Sequence, residues 1–236
     1  MKKYFQIIAI LILAATCSCG HDKDKPSAEL NYSKAVKKLK KQDYSGAAED
    51  FEKISDEYPL SKWGIKAQTM AGYCFYKEEK LADVIRIAEE FIRNNPSNSD
   101  VAYMQYLKSI AYYDQMNEIS RAQDNAKSAS YSFRELIARF PDSEYAADAR
   151  QKLVLVDDHI AGAKMVVGRY QLENGNYIGA IKNFQDVINN YARTNQTPEA
   201  YFRLFEAHQK IGLTKVAENY RQQLKQIYPE NKWINN

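Results

Sequence analysis

The sequence has few residues that interrupt or cross-link regular structure: three cysteines, six prolines and nine glycines among 236 residues. Two of the cysteines, Cys17 and Cys19, lie close together near the N-terminus. If that region is processed, Cys74 has no disulfide partner in the mature chain. Cys74 falls in an apolar helical segment, and we expect it to be a small buried hydrophobic residue. The scarcity of proline and glycine indicates long helices separated by short turns.

Signatures of common catalytic and metal sites are also missing. The chain has no GxSxG nucleophile motif, no phosphate-binding Walker loop, no GxGxxG and no HExxH. His21, His159 and His208 stand apart from one another and from the cysteines, so we expect no metal site. Asp157 and Asp158 are adjacent on a predicted helix and diverge, which does not suit a paired general acid and base. The sequence therefore favours a protein that is not an enzyme and needs no cofactor.

An excess of charge of one sign is absent as well. The formal net charge is +3, and without Lys2 and Lys3 the 33 basic residues become 31, against 30 acidic ones. A nearly neutral body gives no electrostatic reason to expect nucleic acid as a partner. With 27% charged and 45% hydrophobic residues, the composition fits neither a disordered chain nor a membrane-embedded bundle.

The N-terminus carries the most specific local pattern. A basic start is followed by residues 5–15, which are apolar except for Gln6 and too few to span a bilayer, as in a secretory signal. This core runs into Ala-Ala-Thr-Cys-Ser-Cys-Gly at residues 14–20, and a cysteine directly after such a core resembles the lipobox of bacterial lipoproteins. In that class cleavage makes the cysteine the new N-terminus, and two or three acyl chains anchor the protein in the membrane.

Two cysteines compete for the lipid. Cys19 follows a serine and Cys17 follows a threonine, and the smaller serine favours Cys19. Against Cys19, a threonine stands three positions before it, where leucine is usual. We predict a signal peptide at 1–18, a lipid anchor with a polar tether at 19–27, and attachment at Cys19 with Cys17 as the alternative. An ordinary signal peptide with incidental cysteines remains a further interpretation.

Beyond the tether the sequence repeats itself. Each of five segments has a first residue, a second three positions later, a third seven positions later and a fourth fifteen positions later. The sets are Tyr44, Ala47, Phe51 and Pro59; Leu81, Val84, Ala88 and Pro96; Ala126, Ala129, Phe133 and Pro141; Tyr177, Ala180, Phe184 and Ala192; and Thr214, Ala217, Arg221 and Pro229. Offsets 0, 3 and 7 share one helical face, so that face is expected to be buried, and proline ends the helix.

This spacing resembles the second half of the tetratricopeptide repeat. Nine residues before the first offset, Ala35, Gly72 and Gly168 take the small position expected in the preceding helix. The repeat ends step by 37, 45, 51 and 37 residues, whereas the ideal repeat has about 34. The excess falls in a polar stretch at 115–125 and in a helical pattern of about 30 residues at 144–173.

These features predict an all-α fold: a superhelical array of about five tetratricopeptide-like helix pairs with a long central helix. We expect N-terminal repeats at 28–143, followed by the long helix and the C-terminal repeats at 144–236. Helical arrays of this kind bind extended partners along their concave side.

The chain resembles the BamD family, the lipoproteins of the outer-membrane β-barrel assembly (BAM) machinery, over about residues 28–233. The segments that carry the resemblance are 44–59, 91–96, 139–149 and 158–170. Two features depart from the family pattern. Ala192 stands where a proline is expected, and the atypical lipobox leaves the acylated residue open.

The resemblance implies a non-catalytic scaffold lipoprotein in the outer membrane, facing the periplasm, with no cofactor. It implies binding of the POTRA region of BamA and other BAM subunits, and reception of unfolded β-barrel outer-membrane proteins by the N-terminal repeats. The alternative is another periplasmic tetratricopeptide lipoprotein, one that coordinates peptidoglycan synthesis with envelope constriction. An envelope hydrolase would need a nucleophile or metal constellation, which is not found in the sequence.

Two sets of candidate site residues follow. The predicted BamA contact is a mixed-charge patch where the long helix ends and the fourth repeat turns, and its alternative is a solvated helix end. It consists of Arg169, Tyr170, Glu173, Asn174 and Lys182. The predicted client groove is lined by tyrosines on the first helices of repeats: Tyr32, Tyr73, Tyr76 and Tyr103. Because Tyr73 and Tyr76 flank Cys74 and Phe75, at least one of them is alternatively a core residue.

Overall fold

The computed structural model describes residues 27–116 and 123–234. Within these ranges the chain forms ten α-helices and no strand. They are α1 (Ala28–Lys40), α2 (Tyr44–Glu57), α3 (Lys62–Lys77), α4 (Leu81–Asn94), α5 (Val101–Asp114), α6 (Asp124–Arg139), α7 (Ala146–Glu173), α8 (Tyr177–Asn190), α9 (Thr197–Lys210) and α10 (Thr214–Ile227). A short 3-10 helix, Lys232–Ile234, follows. The predicted all-α superhelical array of five helix pairs with a long central helix is confirmed.

Several predicted features lie outside the described residues. These are the signal peptide at 1–18, both candidate lipid-attachment residues Cys17 and Cys19, the tether up to residue 26, and the middle of the polar stretch at 115–125.

The turn inside a helix pair has the same form in four of the pairs. The second residue after the first helix has positive φ: Gln42 (62°), Glu79 (56°), Gly175 (77°) and Gly212 (79°). Glycine takes this conformation at the least cost, and only two of the four positions have it. The following helix then begins two residues later, which keeps the two helices of a pair antiparallel and adjacent.

The repeat positions build the interfaces between helices. All five residues at the second offset are fully buried: Ala47, Val84, Ala129, Ala180 and Ala217. The phenylalanines at the third offset, Phe51, Phe133 and Phe184, are fully buried as well. Each helix packs against the next one in sequence, and the first helices of neighbouring pairs also touch, as α1 and α3 do. Small residues allow the close approach, and each buried phenylalanine contributes about 3–5 kcal/mol relative to alanine.

The long helix α7 joins two hydrophobic clusters. It has 28 residues and is about 42 Å long, whereas α8 has 14 residues. Its Val156 and Ile160 belong to a larger cluster that includes α1 to α6, and its Ala161 and Met165 belong to a smaller cluster with α8 and α9. Tyr191, just after α8, packs against both. The seam between the clusters thus falls inside α7, and the predicted division at residue 143 stays a prediction.

Candidate functional site

Five partly exposed tyrosines lie on three neighbouring helix pairs, and we term them the tyrosine ladder. Its members are Tyr73 and Tyr76 of α3, Tyr103 and Tyr106 of α5, and Tyr145, which precedes α7. The Tyr145 ring lies 5.6 Å from that of Tyr103 and 5.2 Å from that of Tyr106, the latter nearly stacked at 24°. All five are partly exposed and pack on the larger cluster. Such ring pairs add about 0.5–1.5 kcal/mol each to the contact between helices.

Two of the five hydroxyls of the ladder donate hydrogen bonds to carboxylates. Tyr76 donates to Asp114 over 3.0 Å, and Tyr106 donates to Asp148 over 2.7 Å. Burial, and next the hydrogen bond to Asp114, raise the pKa of Tyr76 to about 12. Burial also raises the pKa of Tyr106 above its ordinary value. The phenols are therefore neutral at physiological pH, and their oxygens keep the capacity to accept a hydrogen bond from a ligand.

Three of the four predicted client-binding tyrosines belong to this ladder. Tyr73, Tyr76 and Tyr103 are all partly exposed, whereas Cys74 and Phe75 between the first two are buried. The structure therefore places neither Tyr73 nor Tyr76 fully in the core. Burial raises the pKa of the Cys74 thiol to about 12, as expected for an unreactive core residue.

Tyr32, the fourth predicted client-binding tyrosine, lies on α1, one helix pair before the ladder begins. Its ring packs 5.3 Å from Phe51 and 5.1 Å from Trp63, on α2 and α3. Burial and then the charge of Asp100 raise the pKa of Tyr32, and Asp100 also contributes to the raised pKa of Tyr103.

The ladder includes residues that the sequence reasoning missed. Tyr106 and Tyr145 were not among the predicted residues, nor were their acidic partners. Tyr103 and Tyr106 repeat the three-residue spacing of Tyr73 and Tyr76, so the spacing could have pointed to Tyr106. Nothing local in the sequence indicates Tyr145.

The predicted BamA contact divides into two parts. Arg169, Tyr170, Glu173 and Asn174 share the C-terminal end of α7, where Tyr170 is 67% exposed. The Asn174 side chain donates to the Tyr170 carbonyl over 2.7 Å and closes the helix end. The Arg169 guanidinium lies 3.2 Å from both carboxylate oxygens of Glu199 on α9, so this residue also takes part in helix packing.

Lys182 belongs to the other part, on the exposed side of α8. It lines a shallow groove with Lys164, Ile178 and Asp186. Lys164 and Asp186 form an ion pair across the α7–α8 interface. Ile178 is 69% exposed, so the groove combines charge with an uncovered apolar side chain. Ile178 is not among the predicted contact residues, because its exposure on α8 is visible only in the structure.

Asp157, Asp158 and His208 have structural partners elsewhere in the fold. Asp157 accepts from Ser130 and Arg134 of α6, and Asp158 accepts from the backbone N–H of Asn195 over 2.9 Å. The His208 ring is buried, with Nδ1 2.7 Å from the Leu204 carbonyl. In the ranges 27–116 and 123–234 no group of three or more His, Cys, Asp or Glu could hold a metal ion. No helix in these ranges has the length and apolar character needed to cross a membrane.

Five helix pairs with a partly exposed aromatic face define a tetratricopeptide-like repeat protein. The family described as "Outer membrane lipoprotein" (YfiO) matches residues 23–224. The outer membrane protein assembly factor BamD of Caulobacter vibrioides is 34% identical over 234 residues, covering 96% of this chain and 77% of that protein. The BamD of Rickettsia prowazekii is 34% identical over 239 residues, covering 99% and 95%. That of Neisseria meningitidis serogroup A is 27% identical over 251 residues, covering 99% and 94%. The chain belongs to the BamD family of outer membrane protein assembly factors.

Proposed function

We propose that the protein is a non-catalytic scaffold of the BAM complex, in which it binds BamA and unfolded β-barrel proteins. A lipid on Cys19 (alternatively Cys17) holds it at the periplasmic face of the outer membrane. Family membership is the observation that carries this proposal, since the relatives that match this chain over nearly its whole length are assembly factors of outer membrane proteins. It also favours this role over the coordination of peptidoglycan synthesis.

The tyrosine ladder is the proposed surface for unfolded clients. Segments of barrel proteins alternate apolar and aromatic side chains with polar ones, and their backbone groups are unpaired before insertion. Partly exposed tyrosine rings cover apolar side chains, and the hydroxyl oxygens of Tyr76 and Tyr106 can accept from backbone N–H groups. The ladder spans three helix pairs, so it suits an extended segment rather than a compact ligand.

Site-specific photocrosslinking tests the client surface. A photoreactive residue is placed in turn at Tyr32, Tyr73, Tyr76 and Tyr103, and the protein is mixed with a labelled C-terminal strand peptide of a barrel protein. We expect crosslinks that unlabelled peptide suppresses. Tyr131 on α6 is the matched control, because it is 70% exposed but lies on a second helix. Silence at all four positions, while the protein still binds the peptide, would move the client surface elsewhere.

The end of α7 and the exposed side of α8 form the proposed BamA contact. Tyr170 and Ile178 supply uncovered apolar area, and Glu173, Asn174 and Lys182 are exposed polar side chains on the same two segments. Apolar anchors inside a polar rim are typical of protein interfaces. Arg169 contributes at the edge and also holds α9 in place through Glu199.

Copurification from intact cells tests this contact. Tyr170→Ala combined with Lys182→Glu should weaken the recovery of BamA, and the helicity should not change because both side chains are exposed. The control is Lys215→Glu, an exposed lysine in the first turn of α10. Full recovery of BamA with the double variant would remove this patch from the interface.

A further inference from the structure

A cleft of about 590 Å³ opens at the seam between the two hydrophobic clusters. Its walls come from α6, the N-terminal half of α7 and the turn after α8. The cleft is separate from both the tyrosine ladder and the α8 groove that contains Lys182, with which it shares only Asn189.

The length of α7 explains the cleft. Asp157 in its first half pairs with α6, whereas Lys164 in its second half pairs with Asp186 of α8. Gly168, also in the second half, lies against Phe184 of α8. The second helices of the third and fourth pairs therefore lie against different halves of α7, and a space remains between them.

The walls of the cleft are basic. Arg134, Arg150 and Arg193 come from α6, α7 and the turn after α8, and Asp157 is the acidic residue that faces them. The Arg134 guanidinium is paired with Asp157. Arg150 donates to the Pro141 carbonyl over 2.9 Å and is exposed, as is Arg193. Arg150 and Arg193 are thus two positive charges at the rim that Asp157 does not neutralise.

The floor of the cleft is apolar. It contains Leu153 and Val154 of α7, the latter 52% exposed, together with Tyr191. The exposed amide of Asn189 lies beside them and can both donate and accept a hydrogen bond.

The cleft also contains the place where the repeat pattern breaks. Ala192 replaces the proline of the other four repeats, and Arg193 follows it. The residues after the prolines are Leu60, Ser97, Asp142 and Glu230, so none of them is basic. Arg193, the residue after the break, therefore adds a positive charge to this cleft.

We propose that the cleft is a docking site for an extended acidic segment of a partner protein, one in which carboxylate and apolar side chains alternate. The carboxylates pair with Arg150 and Arg193, whose planar guanidinium groups suit bidentate binding. The apolar side chains cover Val154 and Tyr191. The Asn189 amide matches a peptide backbone, which offers donors and acceptors alike, whereas a phosphate headgroup needs donors only. This site goes beyond the BamA and client contacts proposed above.

The test uses the full-length lipoprotein in detergent and a fluorescein-labelled dodecapeptide of alternating glutamate and leucine, followed by fluorescence anisotropy. The double variant Arg150→Glu/Arg193→Glu should weaken binding by about tenfold or more. Val154→Glu, which places a carboxylate on the floor, should weaken it as well. Arg93→Glu is the matched control, because Arg93 is an exposed arginine in the last turn of α4. This variant should bind the peptide with the affinity of the native protein.

Three results would overturn the proposal. The first is unchanged affinity in the double variant at a native melting temperature. The second is equal binding of a peptide with lysine in place of glutamate, which would indicate apolar adsorption. In the third, the double variant keeps its peptide affinity but loses binding to phosphatidylglycerol vesicles, and the cleft is then a site for anionic lipid.

Discussion

The ring of Phe184 on α8 lies directly against the backbone of Gly168 on α7. A β-carbon at position 168 would stand 2.5 Å from Cε1 of that ring and 2.9 Å from Cδ1. Both residues are buried, so the ring could not move aside without disturbing its neighbours. We predict that Phe184→Ala lowers the free energy of unfolding by about 3–5 kcal/mol and Gly168→Ala by about 1–3 kcal/mol, as measured by urea denaturation.

Gly72 provides the control for this contact. A β-carbon there would meet the side-chain ends of Leu107 and Met104 at 3.1 Å, which can shift more easily than a buried ring. Gly72→Ala should therefore cost less than Gly168→Ala. In the Phe184→Ala background, Gly168→Ala should lose much of its effect, because the two residues are coupled. Equal losses for the two glycine variants would contradict this account.

The tyrosine ladder predicts a loss of stability in alkaline solution. Tyr76 titrates near 12 in the folded protein, above the ordinary value of 10.0. Below about pH 10 the phenol is protonated in both states, so its contribution is complete. Between about pH 10 and 12 the unfolded chain loses the proton while the folded protein retains it, so the free energy of unfolding falls.

Substitution of Tyr76 separates this effect from the titration of other groups. Tyr76→Phe should lose about 1 kcal/mol at neutral pH, with the hydrogen bond to Asp114, and then show a shallower alkaline decline. Tyr131→Phe, which removes the hydroxyl of a tyrosine that is 70% exposed, is the matched control. Thermal melts across this pH range measure the stability of both variants. An equally steep decline in Tyr76→Phe would show that this phenol does not contribute.

Reversal of charge at Arg169 should disturb the packing of α7 against α9. Arg169→Glu places a second carboxylate beside Glu199, whose side chain is only 15% exposed. We expect a loss of about 1–2 kcal/mol in thermal or urea unfolding. Arg169→Met should lose less, because Glu199 keeps its ion pair with Arg203 at 3.2 Å. Equal stability of the two variants would show that the pair contributes little.

Lipid attachment at Cys19 can be read directly from the mature protein. Mass spectrometry of its N-terminus should show an acylated cysteine followed by the sequence from residue 20. Cys19→Ser should accumulate as uncleaved precursor, whereas Cys17→Ser should be processed normally. An acylated Cys17 would show that the preference for a small preceding residue chose the wrong position.

The fold was largely predictable because its determinants are local and periodic. The offsets at Ala47, Ala129 and Ala180 identify buried faces, and the small residues at Gly72 and Gly168 mark the facing helices. Each of these positions depends on neighbours within about one repeat of sequence. The spacing of small and apolar residues along the sequence therefore predicts which helix faces pack together.

The candidate sites were less predictable because they depend on distant pairs. Tyr76 meets Asp114 across 38 residues, and Tyr106 meets Asp148 across 42. In the sequence Arg169 reads as a solvated residue at a helix end. In the structure its guanidinium group pairs with Glu199, 30 residues later. The contact between first helices of neighbouring pairs brings these side chains together, and no local pattern indicates which of them meet.

The seam inside α7 has a consequence for folding cooperativity. Helix contacts run mainly from each helix to its next one or two neighbours, so the ends of the array are coupled through the helices between them. We predict that the smaller cluster around Met165 and Leu204 loses its packing before the larger one, which includes Ile160. Amide protons of α8 to α10 should then exchange with solvent through subglobal opening, ahead of those in α2 to α6. We therefore expect the central helix to divide one continuous array into two units that open with different free energies.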